Sequence, residues 1–517
     1  MTLTRRHTSA LAVLTVAYAV FLTWYHAPYA GGSDASGYMN SAQLLLAGEL
    51  HTPLRMPTGF PADLLAKDSF VPLGFRLDAT RTGMVPTYPV GLPLHLVLIG
   101  WLTGLATAST IVSVGSALVF AALLFMVSRD FGVRPDWSVG VALLGALSPL
   151  TVMFSTFPMS DLPAAVWILL VILCARRAER GTGWAVAAGA AMAVAVLVRP
   201  TNLLLVVPAL IALPARPRPW IAFGLGGLPG ALFLAWYNHA LYGSAITSGY
   251  GAVDELFSTA YFAPTVSHYA YWLPIVASPL ILAAVALPWT SASLRTKAIL
   301  VTWAMLPFGL YSIYFCTHET WWYLRFVLPA LPALGIAAAL VLQSRPLPTW
   351  HLASRLLPAG SGPGEMARGH ILRIPLAALL LLGGGWWMAY WIDGLRATKM
   401  ELDDRGYPLT GKWIAQELPD DAVLLAYQVS GAVLHYSPRA FIVPHTLSPH
   451  DRARLEDWLA QNRRPLYAAL YIQEEPAVFS QFPGRWEKVV QLRQATVWRR
   501  LDPAIAPARP TALGSAP

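Results

Sequence analysis

The run "LAVLTVAYAVFLTWYHAPYAGGSDASGYMN", residues 11–40, decides the class of this protein. Its first half is apolar for long enough to cross a bilayer, because a transmembrane helix needs about 20 mostly apolar residues. Its second half changes to glycines, an aspartate, tyrosines and an asparagine where the chain would leave the membrane. The run therefore predicts a membrane span followed directly by a polar segment outside the bilayer.

The composition extends this prediction to the whole chain. Of its 517 residues, 56% are hydrophobic and only 12% are charged, whereas soluble domains carry about 25% charged residues. The net charge of +9 comes from basic residues in short clusters between apolar segments, as the positive-inside rule produces. We therefore predict a polytopic α-helical membrane protein that lies in membrane lipid and does not bind nucleic acid.

Apolar segments of about the length of a span recur along the chain. The eleven candidates are 9–26, 108–128, 137–155, 162–178, 183–198, 202–214, 219–237, 269–289, 298–316, 323–343 and 372–392. Segment 89–103 is apolar but short, so we predict an interfacial helix there. With the N-terminus in the cytoplasm, the arginine clusters face inward and most acidic residues face outward. The pattern predicts about 11 transmembrane helices in the cytoplasmic (inner) membrane.

The first span is predicted to remain as an anchor. Arg5 and Arg6 precede it, as in a signal peptide, but the small residues at its end follow Pro28 and Tyr29 and make a poor cleavage site. The two cysteines, Cys174 and Cys316, fall near opposite faces of the membrane in this topology. A disulfide between them is therefore not expected.

Three parts of the chain are predicted to lie outside the spans: a first outer loop, a cytoplasmic loop and everything after residue 392. Residues 1–392 form the transmembrane module, which includes a first outer loop at 27–88 and a cytoplasmic loop, rich in Pro, Gly and Arg, at 344–371. Residues 393–502 alternate helical and strand-like patterns and predict a small periplasmic or extracellular α/β domain. The Pro- and Ala-rich residues 503–517 predict a disordered tail.

Two aspartates begin predicted helices on the outer side. Asp34 starts a helix that should end at Gly48, and Asp161 starts the span that contains Pro163. Each aspartate, or the serine before it, could simply cap its helix. Alternatively, a partly desolvated carboxylate at the membrane boundary can act as a general base. We take Asp34 and Asp161 as candidate catalytic residues and leave the capping role open.

Two arginines occupy outer ends of spans. Arg199 follows 183–198, and Arg325 follows two tryptophans and a tyrosine in "WWYLRFVLPALPAL". An arginine here can anchor the helix at the interface, or it can hold a phosphate through its forked donors. We take both as candidate phosphate-binding residues.

Other polar residues cluster on the same predicted face. The candidate substrate-binding residues are Tyr38, Tyr88, His95, Asn238, Tyr250, His318 and Glu319. Interfacial aromatic residues and an ordinary turn would explain several of them equally well. His318 and Glu319 also raise the question of a divalent metal, but neighbouring side chains on a helix do not face each other. We assign no metal ligand, and the cofactor stays undetermined.

Taken together and in order, several stretches resemble the GT-C superfamily of membrane glycosyltransferases, over about residues 5 to 345. The resemblance is greatest to the branch of protein O-mannosyltransferases and lipid A aminoarabinose transferases. It is carried by "GGSDASGYMNSAQLLLAGEL", "PTYPVGLPLHLVLIGWLTG", "FPMSDLPAAVWILL", "LVRPTNLLLVVPALIAL", "YNHALYGSAITSGYG" and "WWYLRFVLPALPAL".

The resemblance implies an enzyme that moves a sugar from a polyprenyl-phosphate donor to an acceptor hydroxyl of a lipid, glycan or protein. Transfer would occur on the outer face of the membrane with inversion at the anomeric carbon. The general base of the family falls on Asp34, its second acidic residue on Asp161, and its phosphate-binding arginine on Arg325. The resemblance specifies neither the sugar nor the acceptor.

Two other functions are possible for a chain with many spans. A flippase or transporter of lipid-linked glycans would also have many spans, but its functional polar residues should lie near the bilayer midplane. Here the predicted spans have almost no charges in the middle, and the polar residues gather at one face. A non-catalytic scaffold would leave the ordered outer motifs unexplained, so the pattern favours an enzyme.

Overall fold

The computed structural model describes residues 5–251, 254–344 and 364–501. The predicted tail at 503–517 and most of the predicted loop at 344–371 lie outside these residues. The chain divides into two compact units. We call Met1–Pro28 with Pro89–Glu401 the helical unit, and Tyr29–Tyr88 with Leu402–Pro517 the mixed unit.

The described residues are mostly helical. In chain order the α-helices are α1 (Arg5–Trp24), α2 (Ser33–Leu46), α3 (Gly91–Thr103), α4 (Leu105–Asp130), α5 (Pro135–Ala146), α6 (Pro149–Ser155), α7 (Asp161–Arg177), α8 (Thr182–Val198), α9 (Val206–Ala212), α10 (Pro217–Tyr242), α11 (Phe262–Val276), α12 (Leu294–Tyr311), α13 (Leu331–Ser344), α14 (Gly364–Gly394), α15 (Met400–Asp404), α16 (Gly406–Glu417), α17 (Ser430–Tyr436), α18 (Pro449–Asn462) and α19 (Glu475–Gln481). The longer 3-10 helices are Pro200–Leu205, Pro279–Trp289 and Trp321–Ala330. The strands are β1 (Thr52–Pro53), β2 (Phe75–Leu77), β3 (Gly83–Pro86), β4 (Val423–Ala426), β5 (Leu466–Tyr471), β6 (Arg485–Leu492) and β7 (Ala495–Leu501).

Fewer uninterrupted spans are found among the described residues than the eleven candidate segments. By length and composition, three helices could cross a membrane, namely α4, α10 and the continuous stretch Trp321–Ser344. Two more candidates are bent pairs: α5 with α6, at 54°, and Thr259–Val276 with Pro279–Trp289, at 111°. Both breaks come directly before a proline, which disfavours the helical conformation of the residue that precedes it. The predicted interfacial segment forms α3.

Glycines allow α8 and α10 to pack closely in the helical unit. A Cβ added at Gly189 of α8 would lie 1.9 Å from the carbonyl oxygen of Phe223, and one at Gly226 of α10 would lie 2.1 Å from that of Val186. Small residues are what permit such backbone contact between apolar helices. The glycines in these two segments are therefore part of the packing of the unit.

The mixed unit contains two sheets. A four-stranded sheet has the order β4-β5-β7-β6, with β4 parallel to β5 and the other pairs antiparallel. The three short strands of the first loop form an antiparallel sheet in the order β1-β3-β2. The apolar run of β4 is explained by burial on both faces, because Val423 and Leu425 enter one core cluster and Leu424 and Ala426 enter another.

Residues of the predicted first loop, 27–88, share a core with the C-terminal region. Phe60, Leu65 and Phe70 belong to the same buried cluster as Val423 and Trp458. The ring of Phe60 lies 4.8 Å from that of Trp458 and 5.6 Å from that of Phe70, measured between centroids. The two ends of this unit are far apart in sequence and are held together by buried aromatic contacts.

Candidate functional site

Asp34 lies in the first turn of α2, and its side chain is half-buried. The N-cap position of this helix is taken by Gly32, whose φ of 49° is in the left-handed region. Such a conformation favours glycine. Neither Ser33 nor Asp34 is the N-cap residue, in contrast to the capping alternative. The helix ends before Gly48 (φ 76°), as its sequence predicted.

Tyr88 packs on the first turns of α2. Its hydroxyl lies 2.7 Å from Oγ of Ser33, and its ring centroid lies 5.0 Å from that of Tyr38. A Cβ at Gly37 would come within 2.4 Å of the Tyr88 ring. Gly37 therefore makes room for this tyrosine, and the two predicted substrate-binding tyrosines contact each other beside the helix that carries Asp34.

The other side of α2 contacts α17 of the C-terminal region. The side-chain amide of Asn40 donates to the carbonyl oxygen of Gly431 at 2.9 Å, and Nδ1 of His435 lies 3.0 Å from Oδ1 of Asn40. Burial lowers the pKa of His435 to about 4, so the ring is neutral at pH 7 and donates through Nδ1. A Cβ at Gly431 would lie 2.1 Å from Oγ of Ser36. The α2–α17 contact is thus close and specific.

The segment before α2 is also held by C-terminal residues. The backbone N–H of Ala30 donates to the hydroxyl of Tyr436 at 3.0 Å. A Cβ at Gly31 would lie 2.8 Å from Oδ2 of Asp404. Burial, together with the nearby charge of Asp403, raises the pKa of Asp404 to about 7. A second carboxyl group therefore lies against the turn that leads to Asp34.

Asp161 begins α7 in the helical unit and is fully buried. Its Oδ1 accepts a hydrogen bond from Nη2 of Arg199 at 2.6 Å, and the two form an ion pair. Nη1 of Arg199 also donates to the carbonyl oxygen of Arg325 at 3.3 Å. Ser160 stands at the N-cap but makes no side-chain cap bond. The carboxylate of Asp161 thus holds the guanidinium of Arg199 in a position where it also contacts Arg325.

Arg325 is half-buried among aromatic rings. Its guanidinium carbon lies 5.1 Å from the ring centroid of Phe326, 5.7 Å from that of Tyr323 and 5.8 Å from that of Phe154. The guanidinium of Arg199 lies 5.5 Å from the same Phe326 ring. Two cations therefore lie near one phenylalanine ring, while the carboxylate of Asp161 is paired with Arg199. Such an arrangement provides positive charge suited to an anion.

His95 has hydrogen-bond partners at both ring nitrogens. Nδ1 donates to the carbonyl oxygen of Gly91 at 2.6 Å within α3, and Nε2 accepts from the indole N–H of Trp167 in α7 at 2.9 Å. Both nitrogens are thus committed to the packing of α3 on α7. To bind substrate as predicted, His95 would have to give up one of these two hydrogen bonds and form one to the substrate.

The remaining predicted residues have varied surroundings. Nδ2 of Asn238 donates to the carbonyl oxygen of Ala245 at 3.3 Å, and Tyr250 is exposed. The ring of His318 stacks on that of Tyr261 with centroids 5.7 Å apart. Glu319 is exposed. Within the described ranges, no group of three His, Cys, Asp or Glu side chains is arranged to hold a metal ion.

The structure also identifies contacts that sequence reasoning missed. His435, Gly431, Tyr436 and Asp404 hold the segment that contains Asp34. No local pattern in "VSGAVLHYS" or "MELDDRG" signals a partner in the first loop. The only usable signal was the polar character of Asn40, which lies on a largely buried helix face and therefore needs a partner.

No protein-family model and no curated protein matches the chain. Several solved structures match the chain. ArnT from Cupriavidus metallidurans, bound to undecaprenyl phosphate, superposes with a TM-score of 0.57 at 17% identity, covering 96% of this chain and 99% of that one. The oligosaccharyltransferase AglB from Archaeoglobus fulgidus, in complex with an inhibitory peptide and a dolichol-phosphate, gives 0.55 at 11% identity over 90% and 69%.

The chain has the GT-C membrane fold. The arabinofuranosyltransferase AftD from Mycobacteria is a further match, with a TM-score of 0.51 and 15% identity, covering 96% of this chain and 42% of AftD. ArnT is the lipid A aminoarabinose transferase, so the resemblance stated from the sequence is confirmed at the level of fold. At these identities the likeness establishes the fold alone.

Proposed function

We propose that the protein is an inverting membrane glycosyltransferase that uses a polyprenyl-phosphate-linked sugar. The observation that carries this proposal is the likeness to ArnT over 99% of the length of that chain, in a structure that holds undecaprenyl phosphate. Fold alone does not fix function. The proposal is also supported by Arg199 and Arg325, two cations near one phenylalanine ring that would bind a lipid phosphate.

Asp34 is the proposed general base. It lies in the first turn of α2, where the helix dipole favours a carboxylate. The glycine at the N-cap leaves the approach to this turn open to close contact. The carboxylate would take the proton of the acceptor hydroxyl as its oxygen attacks the anomeric carbon.

The donor phosphate is assigned to Arg325 and Arg199. As the new carbon–oxygen bond forms, the bond from the anomeric carbon to the phosphate oxygen breaks, and the polyprenyl phosphate leaves as an anion. The guanidinium groups would stabilise the charge that develops on it. Asp161 is fully buried and bonded to Arg199, so we assign it a positioning role that acts through Arg199 and not direct proton transfer.

The remaining candidates are proposed to contact substrate. Tyr38 and Tyr88 would act beside Asp34, and Asn238, Tyr250, His318 and Glu319 beside the donor. His95 would act only indirectly, by fixing α3 on α7. We also propose that residues 393–502 form a domain outside the membrane. The proposed topology has about 11 spans, with the N-terminus in the cytoplasm. The acceptor is an alcohol of a lipid, glycan or protein.

A flippase gains no support. The solved structures that match the chain include ArnT, AglB and AftD, all glycosyltransferases. The ionisable residues singled out in the helical unit, Asp161, Arg199 and Arg325, are paired or packed at helix ends, whereas a transporter would be expected to hold substrate near the midplane.

Transfer in liposomes tests the proposal. Wild type and Asp34→Asn would be given a panel of polyprenyl-phosphate sugars with an alcohol acceptor, and release of polyprenyl phosphate would be measured. We expect a loss of about 10²-fold or more in Asp34→Asn with donor binding retained. Asp63→Asn, which changes an exposed aspartate of the same loop, serves as the matched control. Full activity in Asp34→Asn would contradict the base assignment, and no release from any donor would contradict the transferase.

A further inference from the structure

Among the buried side-chain atoms of the helical unit that have no hydrogen-bond partner within the described residues, five lie on two segments that contact each other. They are Oγ1 of Thr265, the hydroxyl of Tyr269, Oγ1 of Thr317, Nδ1 of His318 and Oγ1 of Thr320. Thr265 and Thr317 are fully buried, and Tyr269 is nearly so. In proteins the large majority of buried side-chain polar atoms have a hydrogen-bond partner. A group of this size without partners within the protein indicates a ligand that supplies them.

These residues lie on one patch, which we call the threonine strip. Tyr261, just before α11, stacks on His318 with ring centroids 5.7 Å apart. His268, two turns further along, brings Nε2 to 3.1 Å from the carbonyl oxygen of Thr320. Because Thr265 is between these two contacts and one turn before Tyr269, α11 lies along residues 317–320.

The chemistry of the strip is that of a sugar site. Its side chains are hydroxyls and one imidazole, which can donate as well as accept. It contains no guanidinium or ammonium group that would pair with phosphate, and its polar atoms would be of no use to an isoprenoid tail. Vicinal hydroxyls of a sugar offer the matching donors and acceptors. The strip continues directly into the 3-10 helix Trp321–Ala330, which carries Arg325.

We propose that the threonine strip binds the hydroxyl groups of the sugar carried by the lipid-linked donor. This inference rests on the proposed function, which assigns the phosphate of the same donor to Arg325 and Arg199. The donor would then be recognised in two parts: the phosphate by charge, and the sugar by neutral hydrogen bonds. Selection among sugars resides in the strip, because a polar group left unpaired by the wrong sugar weakens binding.

The test compares Thr317→Val and Thr265→Val with wild type. Valine keeps the shape of threonine and removes the hydroxyl. Affinity would be measured for sugar-bearing undecaprenyl phosphates and for bare undecaprenyl phosphate. We expect each variant to bind the preferred sugar-bearing lipid about 5- to 10-fold more weakly and the bare lipid unchanged. Thr317→Ser, which retains the hydroxyl, should restore the affinity.

Thr302→Val is the matched control, because the Thr302 hydroxyl already donates to the carbonyl oxygen of Ala298 in its own helix. A purely structural role is excluded by thermal stability: removing an unpaired hydroxyl should leave the melting temperature equal or higher. If wild type prefers the sugar-bearing lipid and both strip variants keep that preference, the strip proposal is wrong and the proposed function stands. If wild type binds no sugar-bearing lipid more tightly than the bare one and releases no phosphate, both fail.

Discussion

Replacing Arg199 by glutamine should lower the free energy of unfolding by about 3–5 kcal/mol, because it leaves a buried carboxylate without its counter-ion. The side chain of Asp161 is 0% exposed and that of Arg199 is 13% exposed, so solvent screens the pair little. Asp161→Asn should cost only about 1–2 kcal/mol. The amide oxygen can still accept from Arg199, which keeps its bond to the carbonyl oxygen of Arg325 and its contact with Phe326.

The assay is a double-mutant cycle of unfolding in mixed detergent micelles. The double variant Asp161→Asn/Arg199→Gln should be more stable than Arg199→Gln alone, so the coupling energy should exceed the cost of Asp161→Asn and reach about 2–3 kcal/mol. Arg81→Gln is the control, since Arg81 pairs with Asp68 at an exposed site, with 59% and 57% of the side chains accessible. It should change stability by less than about 1 kcal/mol. An Asp161→Asn variant that is less stable than Arg199→Gln would refute the reasoning.

Three further outcomes follow from the packing and the charges. Gly189→Ala should prevent correct folding, because its Cβ would lie 1.9 Å from a carbonyl oxygen. Gly224→Ala should be tolerated, because its Cβ would have no heavy atom within 4 Å. The yield of folded protein in detergent checks both variants. The pKa of Asp404 is raised from 3.8 to about 7, so the folded state holds this proton more tightly than the unfolded state does. The resulting stabilisation is complete below pH 3.8 and is lost as the pH rises through about 7. Asp404→Asn should therefore flatten the pH profile of the melting temperature. Gly431→Ala should reduce the rate of transfer while donor binding is retained, because its Cβ would displace Ser36 on the helix of the proposed base; an unchanged rate in a well-folded variant would show that α2 tolerates the shift.

The sequence predicted elements whose signals are local. The helix expected from Asp34 to Gly48 is observed at Ser33–Leu46, because the glycines that bound it act within a few residues. The helix predicted at 89–103 is observed as α3, Gly91–Thr103, which also ends at a glycine, Gly104. The breaks inside the predicted spans 137–155 and 269–289 lie at prolines that hydropathy ignores.

The contacts that arrange the candidate site are not local and were not predicted. Asp161 and Arg199 are 38 residues apart, and Asn40 and His435 are 395 residues apart. Periodicity and capping describe neighbours within a turn or two, so they identify a polar residue but not its partner. The sequence predicted Asp161 as a helix cap or a base. It did not predict the ion pair with Arg199, because that partner is distant in the chain.

The shared core of the mixed unit has a consequence for biosynthesis. Residues 29–88 emerge early from the ribosome, but Phe60 and Phe70 pack against Trp458 and β4, which are made only after Pro89–Glu401. Contacts of such high sequence separation form slowly, because a long loop must close before they stabilise anything. The helix that carries Asp34 therefore acquires its final support only at the end of synthesis. Premature termination anywhere before β4 should yield a chain that is inserted in the membrane but inactive.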